Sequence, residues 1–443
     1  MQAAATATEI ISNLQQAGHV AYLAGGCVRD ELLGIEPKDF DIATSALPEQ
    51  VLELYPEGKT VGAHFGIIIV KHHGHLVEVA TFRTDGSYLD GRRPQSVEFS
   101  TPEEDAQRRD FTINGLFKDP VAGEIIDFVG GREDMEARQI RAIGDPDARL
   151  REDYLRLLRA IRFAARLDYQ IAAETWSAIT AHASDLKTIS AERIRDEFSR
   201  IITQPSRVRG FDLLVESGLM GQIIPEILEL KGCEQPPQFH PEGDVFVHTR
   251  LMLSLLPERV SLPLALAVLL HDIGKPATYS FDEEAQRIRF NGHDKVGSQM
   301  AEAILRRLKF PNAVVDAVVE MVARHMAFMN VQKMRTAKLK RFMNGKNFED
   351  EMELHRVDCL GSWGGLDNYD FLRAKEDEFA SEPLVPPPLL TGRDLIARNQ
   401  KPGPEFSEIL TEAQTLQLEG NLTSRDAALE WLDRRLAGDP AGS

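Results

Sequence analysis

The apolar positions of the first 230 residues change from mixed helical and extended spacing to purely helical spacing. Residues 3–16 have apolar side chains at helical intervals, which predicts an amphipathic helix, and the apolar run at 20–24 predicts a strand. Residues 66–83 predict a hairpin, because two β-rich runs flank a turn near Gly74. From 175 to 219 the spacing is helical and no strand signal returns. The pattern therefore predicts an α/β head followed by an all-helical body.

The segment LAGGCVRDELLGIEPKDFDIAT, at residues 23–44, has the strongest candidate chemistry. Gly25 and Gly26 allow a backbone to approach a ligand closely, because neither has a Cβ atom. They precede VRDELLG, which predicts a short helix ended at Gly34. The free N–H groups at the start of such a helix favour a phosphate.

Two carboxylates close this segment. Phe40, Ile42 and Ala43 predict a short strand, on which Asp39 and Asp41 would share a face. Carboxylates held side by side repel each other and favour a bound cation, and oxygen ligands beside a phosphate favour Mg²⁺. An isolated D-x-D is more often a solvated surface turn, but here it follows the glycine pair and Arg29 within one span.

Glu78 is a further candidate acid. It lies between Val77 and Val79 on the second strand of the predicted hairpin. It is either a third metal-site carboxylate or an edge-strand glutamate, and the sequence leaves both readings open.

Composition adds limits to this picture. The chain has 443 residues, 43% hydrophobic residues and a formal net charge of −18, values that fit a soluble protein of about three domains. Its 3 cysteines form no C-x-x-C pair, and its N-terminus lacks the basic region of a signal peptide. The negative charge disfavours a nucleic-acid partner, but a local basic strip can override it. That strip comprises Arg149, Arg151, Arg156, Arg159, Arg162 and Arg166.

Two further segments pair carboxylates with arginines. In EEDAQRRDFTINGL, Arg108, Arg109 and Asp110 precede a helix predicted to begin near Thr112. The next segment predicts a single helix on which acidic and basic residues recur at three-residue steps. A carboxylate on that face would accept from an exocyclic amine, and arginines would donate to ring nitrogen or carbonyl oxygen. The alternative is a salt-bridged surface helix. The residues of that face are Glu152, Asp153, Arg156, Arg159 and Arg162.

The segment from about 239 to 379 contains an ordered set of metal-ligand residue types. His248, the pair His271-Asp272, and Asp358 follow one another on predicted helices, and His293 and His325 add possible ligands. Neutral imidazoles and carboxylates that meet inside a helical bundle bind divalent metals. A lone histidine would more often be a satisfied core residue.

These motifs together resemble a known family. GGCVRDELLG, KDFDIAT, RRDFTIN and E-D-x-x-R resemble class II tRNA nucleotidyltransferases (CCA-adding enzymes) and the related bacterial poly(A) polymerases, within the superfamily of DNA polymerase β. The H…HD…D order resembles the HD superfamily of phosphohydrolases. The resemblance implies a polymerase-β-like head with a mixed sheet, then an all-helical neck and body, then a helical HD domain. We expect boundaries at 1–140, 141–235, 236–380 and 381–443.

The resemblance implies a template-independent enzyme that adds CCA to the 3′ end of tRNA from CTP and ATP. Asp39 and Asp41 would be catalytic and bind Mg²⁺. The implied nucleotide-binding residues are Gly26, Arg29, Arg109, Asp153, Arg156, Arg159 and Arg162. His248, His271, Asp272 and Asp358 would hold a second divalent metal. We expect a cytoplasmic protein with no membrane partner.

Three alternatives remain open at this level. One is A-only addition to tRNA, and another is poly(A) synthesis. DGSYLDGRRP, at residues 85–94, resembles the full-length flexible loop of the members that add A. The third alternative is a phosphohydrolase that acts through the HD segment and uses the head only to bind nucleotide.

Overall fold

The computed structural model describes residues 2–60, 66–85, 97–238, 240–381 and 383–437. The chain divides into two compact units. The first comprises Met1–Leu228 with Arg306–Phe310, and the second comprises Glu229–Leu305 with Pro311–Ser443. The finer division into four domains stays a prediction.

The head of the first unit is built on a mixed sheet. Its strands are β1 (Ala21–Ala24), β2 (Asp41–Thr44), β3 (Lys59–Thr60), β4 (Ile67–His72), β5 (His75–Thr81), β6 (Arg83–Asp85), β7 (Val97–Phe99), β8 (Phe117–Asp119) and β9 (Glu124–Ile126). The order in the main sheet is β3-β4-β5-β2-β1-β8-β9, and β6 pairs with β7 separately. The β2–β5 pair is parallel, whereas β1–β2 and β4–β5 are antiparallel.

The predicted hairpin is confirmed as β4 and β5. Ile68, Val70 and Val79 are buried at 0–1% exposure, which fits the alternation that half-buried strands require. His73 and Gly74 form the turn with φ values of 47° and 81°, the left-handed backbone that two-residue hairpin turns need.

Helices surround the sheet and form the rest of the first unit. They are α1 (Gln2–Gln16), α2 (Gly26–Leu32), α3 (Pro48–Leu54), α4 (Pro102–Gln107), α5 (Gly131–Glu136), α6 (Pro146–Glu152), α7 (Leu155–Leu167), α8 (Ala173–Ala181), α9 (Ala191–Thr203), α10 (Arg207–Glu216) and α11 (Met220–Ile223). Two short strands, β10 (Gln139–Ile140) and β11 (Gln170–Ile171), pair in parallel. Leu157, Leu158 and Ile161 of α7 are fully buried, and α7 packs on α9 and α10.

The second unit is mainly helical. Its elements are α12 (Val245–Leu255), α13 (Leu262–Leu270), α14 (Lys275–Thr278), β12 (Ser280–Asp282), β13 (Arg287–Arg289), α15 (His293–Arg307), α16 (Asn312–Arg324), α17 (Thr336–Met343), α18 (Phe348–Gly361), α19 (Asp367–Phe379), α20 (Gly392–Ile396), α21 (Pro404–Leu418) and α22 (Arg425–Ala437). The nearly uniform apolar sequence of α13 follows from its position against α12, α16 and α18.

The fold class is confirmed, with corrections to individual elements. Strand β2 begins at Asp41, so Asp39 lies before the strand and not on it. The helix expected near Thr112 is a single 3₁₀ turn, Thr112–Asn114, because β8 follows almost at once. Strand structure does return in the second unit, as the β12–β13 hairpin.

The helix predicted to join Glu152 to Arg162 is interrupted. Helix α6 ends at Glu152, and Asp153 has extended backbone angles of −153° and 101°. The Asp153 carboxylate accepts a hydrogen bond from the Leu155 N–H at 3.0 Å, so it satisfies a free donor at the start of α7. Asp153 therefore lies at a junction between two helices rather than on one helix face.

Two other expectations concern loops and membranes. The centre of the proposed flexible loop, residues 86–96, lies outside the described residues, and its described ends pair as β6 and β7. Among the described residues, no helix combines the length and apolar character needed to cross a membrane.

Candidate active site and metal centre

Asp41 and Glu78 are direct register partners in the parallel pair of β2 and β5. Partners in a parallel pair present their side chains on the same face of the sheet, so the fold brings together two acids that are 37 positions apart. The pKa of Asp41 is raised overall, mainly by burial and also by the nearby Asp39 charge, although Arg109 partly opposes the shift. The pKa of Glu78 is also raised overall, by burial and by the Asp41 charge, and Arg83 partly opposes this shift.

These three acids have the chemistry of a divalent-cation site. Asp41 and Glu78 are register partners, Asp39 lies two residues before Asp41, and oxygen ligands of this kind suit Mg²⁺. Among the described residues, several groups of three ligand atoms lie within 4.8 Å of one another, but Asp39, Asp41 and Glu78 are not one of these groups. A bound cation would therefore have to draw the three carboxylates together.

Arg109 is positioned by Asp105 and by the glycine turn. Asp105, which is 1% exposed, accepts hydrogen bonds from Arg109 Nη2 at 3.0 Å and from Arg108 Nη2 at 2.7 Å. Gly25 has a φ of +71°, and a Cβ atom there would lie 2.5 Å from Arg109 Nη1. Gly26 is the first residue of α2. Gly25 thus leaves room for the Arg109 side chain, and Gly26 begins the helix.

Arg29 belongs to a buried polar network. Its guanidinium donates to Asp30 Oδ1 at 2.8 Å and to Asn114 Oδ1 at 2.5 Å, and the side chain is 3% exposed. Asn114 Nδ2 donates to Asp110 Oδ1 at 3.0 Å. These contacts with Asp30 and Asn114 show that Arg29 stabilises the segment at residues 23–44 from inside the protein. Its contact with a triphosphate stays a prediction.

The same network continues into α7. Arg159 Nε donates to Asp110 Oδ2 at 2.7 Å, and Arg166 Nη2 donates to Asp30 Oδ2 at 2.8 Å. Burial would raise the pKa of Asp110, but Arg159 and Asn114 outweigh burial and hold it at about 2. Asp110 is therefore a fixed anion that joins the head to α7.

The arginines of the predicted basic strip have acidic partners. Arg156 contacts Glu152 and also donates to the Arg149 carbonyl at 2.6 Å. Arg162 Nε donates to Glu197 Oε2 at 2.6 Å. The remaining pairs are Arg149–Glu152, Arg151–Asp147, Arg159–Asp110 and Arg166–Asp30. The strip is therefore a set of ion pairs and is weaker evidence for nucleic-acid binding than its sequence indicates.

Asp153 is held by an arginine from another helix. Arg193 of α9 donates to Asp153 Oδ1 at 3.1 Å and to Oδ2 at 2.6 Å. This two-point contact fixes the plane of the carboxylate. Sequence reasoning missed Arg193, Glu197, Asp105 and Asn114 as members of the site. Only Asn114 had a usable signal, its place in RRDFTIN.

The HD residues come together inside the second unit. His248 is fully buried, and its Nε2 lies 3.2 Å from Asp358 Oδ1 while its Nδ1 lies 2.7 Å from Glu242 Oε1. Asp272 Oδ2 lies 3.0 Å from His271 Nε2 and accepts from Lys275 Nζ at 2.6 Å. Burial would lower the pKa of His248, but Asp358 and Glu242 raise it to about 9. Glu242 was not anticipated from the sequence.

Three histidines of this cluster have the same tautomer-setting contact. The Nδ1 atoms of His271, His293 and His325 lie 2.6–2.9 Å from the backbone carbonyls of Val268, Phe290 and Val322. A carbonyl only accepts, so each Nδ1 carries a proton, and in the neutral imidazole Nε2 is the atom left to bind a metal. Nε2 of His293 and Nε2 of His325 nevertheless face each other at 3.1 Å. Two lone pairs at that distance fit a metal between or beside them.

Three family models match parts of this chain. The Poly A polymerase head domain matches residues 21–141, the probable RNA- and SrmB-binding site of polymerase A matches 168–230, and the HD domain matches 246–359. Over 98% of both chains, the structure is similar to the Bacillus stearothermophilus CCA-adding enzyme in complex with CTP, with a TM-score of 0.74 and 29% identity. The chain therefore carries the head domain of the poly(A) polymerase family, its RNA-binding segment and an HD domain. Members of this nucleotidyltransferase family are metal-dependent.

Curated relatives agree with this family. The CCA-adding enzyme of Geobacillus thermodenitrificans is 47% identical over 211 residues, which cover 47% of this chain and 52% of that relative. The CCA-adding enzyme of Latilactobacillus sakei is 39% identical over 57% of this chain and 65% of its own length. The chain thus spans about half to two thirds of the curated relatives it matches. The Thermotoga maritima CCA-adding enzyme complexed with tRNA shares the fold at 19% identity and a TM-score of 0.59.

Proposed function

We propose that the protein is a template-independent nucleotidyltransferase that adds CCA to the 3′ end of tRNA from CTP and ATP, with release of pyrophosphate. The observation that carries the proposal is the Asp41–Glu78 register pair beside Arg109. It occurs in a chain aligned over 98% of its length with a CTP-bound CCA-adding enzyme. A cytoplasmic location follows from this tRNA substrate.

Asp39, Asp41 and Glu78 are the residues that would hold Mg²⁺. Bound Mg²⁺ would supply Lewis-acid activation of the terminal 3′-hydroxyl and stabilise the leaving pyrophosphate. Arg109, held by Asp105, would orient the incoming nucleotide through its planar guanidinium. Gly26, at the start of α2, would allow the triphosphate to approach the backbone.

Base selection would rest on Asp153 and Arg156. The carboxylate of Asp153 would accept from the exocyclic amine that C and A share, and G and U present different groups. Arg193 would keep this carboxylate in plane. Arg156 would donate to the ring once its contacts with Glu152 and the Arg149 carbonyl allow it, and Arg159 and Arg162 would hold the nucleotide from α7.

An incorporation assay with Mg²⁺ tests the proposal. The substrates are tRNA ending at the discriminator base, at C and at CC, each with CTP, ATP or both. We expect growth to a full CCA end and then a stop. Addition of A alone to the CC-ended tRNA would instead identify an A-adding enzyme, and long A tails on any RNA a poly(A) polymerase. The Asp41→Ala variant should lose incorporation and keep RNA binding, and retained turnover would remove Asp41 from the site.

A second candidate activity is metal-dependent hydrolysis of phosphate esters at the HD cluster. The facing Nε2 atoms of His293 and His325 favour it, together with the buried Lys275 that donates to Asp272. The ligands would be His248, His271, Asp272 and Asp358, with His293 and His325. We expect His325→Ala to remove metal-stimulated hydrolysis of a phosphodiester without affecting incorporation, and Asp41→Ala to do the reverse. Equal hydrolysis by His325→Ala and the wild type would contradict this activity.

A further inference from the structure

A third cluster of metal-ligand residues lies in the head, apart from the acids of the active site. Glu9 of α1 faces His72, the last residue of β4, and His73 in the hairpin turn. Glu9 Oε1 lies 3.0 Å from His72 Nε2, and Glu9 Oε2 lies 3.0 Å from His73 Nε2. The two imidazole rings are 4.1 Å apart. Donor atoms of three residues from two separate elements therefore lie close together.

The geometry departs from that of an ordinary surface ion pair. His72 Nε2 is enclosed by protein, and the Glu9 carboxylate that it faces at 3.0 Å is shared with His73. One donor atom from each residue lies within 4.8 Å of the others. Ligand atoms around a tetrahedral metal with bonds of about 2.0–2.1 Å lie about 3.3 Å apart. Each contact between Glu9 and a histidine, at 3.0 Å, is close to that spacing.

Neighbouring residues hold the cluster in place. The Tyr55 ring packs edge-on against His72 at 5.6 Å, and its hydroxyl accepts from Asn13 Nδ2 at 2.9 Å. Asn13 lies four residues after Glu9 on α1, so it faces the same side of the helix. The backbone of His73 is left-handed, with a φ of 47°, as part of the hairpin turn. These contacts orient His72, whereas the side chains of Glu9 and His73 are 48% and 62% exposed and open to an ion from solvent.

We propose that Glu9, His72 and His73 form a site for a divalent transition metal of the zinc class, which clamps α1 to the β4–β5 hairpin. Two imidazoles and one carboxylate suit Zn²⁺, Ni²⁺ or Cu²⁺ rather than Mg²⁺. His75 is the cross-strand partner of His72 and shares its face, so it is the candidate for a fourth ligand. The site is thus chemically distinct from an oxygen-ligand site at Asp39, Asp41 and Glu78.

Zinc binding by the full-length protein tests the proposal. The test variant is Glu9→Gln combined with His73→Ala, and the matched control is His19→Ala, which changes a histidine outside the cluster. We expect the wild type and the control to bind one more equivalent of Zn²⁺ at micromolar concentration than the test variant. Unchanged Mg²⁺-dependent incorporation would show that all three proteins are folded. Equal zinc stoichiometry in all three, or a difference only at millimolar zinc, would overturn the proposal.

A local measurement separates this site from the HD cluster. Bound copper, reduced by ascorbate, activates dissolved oxygen, which oxidises the histidines that coordinate the metal, and peptide mass analysis locates the product. We expect oxidation of His72 and His73 in the wild type, and at least a tenfold reduction in the Glu9→Gln variant, with HD histidines oxidised equally in both. Oxidation of His72 and His73 no faster than that of His19 would contradict metal binding at this place.

Discussion

Gly25 packs so closely against Arg109 that a Cβ atom on Gly25 would lie 2.5 Å from the Arg109 Nη1 atom. We expect Gly25→Ala to displace Arg109 from its bonds with Asp105 and the Asn114 carbonyl. Incorporation should fall by at least tenfold, chiefly through weaker nucleotide binding, which steady-state kinetics with CTP and ATP would measure.

Gly34→Ala is the matched control for this substitution. Gly34 has almost the same φ, +70°, but a Cβ atom there meets nothing within 4 Å. Gly34→Ala also places a side chain at a left-handed φ, at a cost of about 1 kcal/mol or more, but without the contact. Equal loss of incorporation in both variants would show that strain, and not the position of Arg109, is responsible.

The contact between Arg193 and Asp153 predicts an effect on nucleotide choice. In Arg193→Ala the Asp153 carboxylate loses both donated hydrogen bonds but keeps its bond to the Leu155 N–H. We expect discrimination of C and A against G and U to weaken by about tenfold, with little change in RNA binding, as competition assays would measure. The control is Arg195→Ala, because Arg195 contacts Asp196 and the Lys309 carbonyl instead. Unchanged discrimination would show that Arg193 does not position Asp153 for base selection.

The Asp110–Arg159 pair predicts a loss of stability. Asp110→Asn keeps the size of the side chain but removes the charge that faces Arg159. Leaving one member of a buried charge pair without its partner costs about 2 kcal/mol. We expect the first unit to unfold at a lower denaturant concentration, as circular dichroism would measure. Asp168→Asn, which removes an exposed partner of Arg209, should leave the midpoint nearly unchanged.

His182 predicts a pH-dependent contribution to stability. Burial would lower the pKa of His182, but contacts with Asp147 at 2.5 Å and Asp185 at 2.8 Å raise it above its ordinary value. A raised pKa in the folded state stabilises the fold fully below the unfolded pKa of about 6.5, and that stabilisation is lost as pH rises through the folded pKa.

The measurement compares the wild type with His182→Gln at pH 5.5 and pH 8.5. We expect the difference in melting temperature to be larger at pH 5.5. The contributions of the other histidines to the melting temperature cancel, because only the difference between the two proteins is used. A difference that is constant with pH would show that His182 acts only through packing.

The sequence predicted the elements whose signal is local. The hairpin turn at Gly74 and the strand before Gly25 follow from short-range spacing, and both are confirmed. The helix across Glu152 and Asp153 was wrong because the Asp153 side chain competes for a backbone N–H, which apolar spacing does not reveal.

Partners that come from distant parts of the chain were harder to predict. Arg193 lies 40 residues from Asp153, and the pattern around it indicates only an amphipathic helix. Glu78 could be suspected from its place between two valines, but its alignment with Asp41 depends on the strand order. The predicted basic strip stays a prediction for RNA binding. The acidic partners of Arg159, Arg162 and Arg166 lie on other elements, so their ion pairs could not be predicted from local spacing.

The buried network from Arg166 through Asp30, Arg29, Asn114 and Asp110 to Arg159 limits how this protein can be recombined with its relatives. A chimaera joined near residue 141 would take Asp30 and Asp110 away from the arginines of α7 and leave buried charges to be matched by a foreign helix. A junction placed after α7, beyond Leu167, would move the whole network as one block. The unit that can be exchanged between relatives is therefore the head together with α7. It is longer than the segment at 21–141 that the head-domain family model matches.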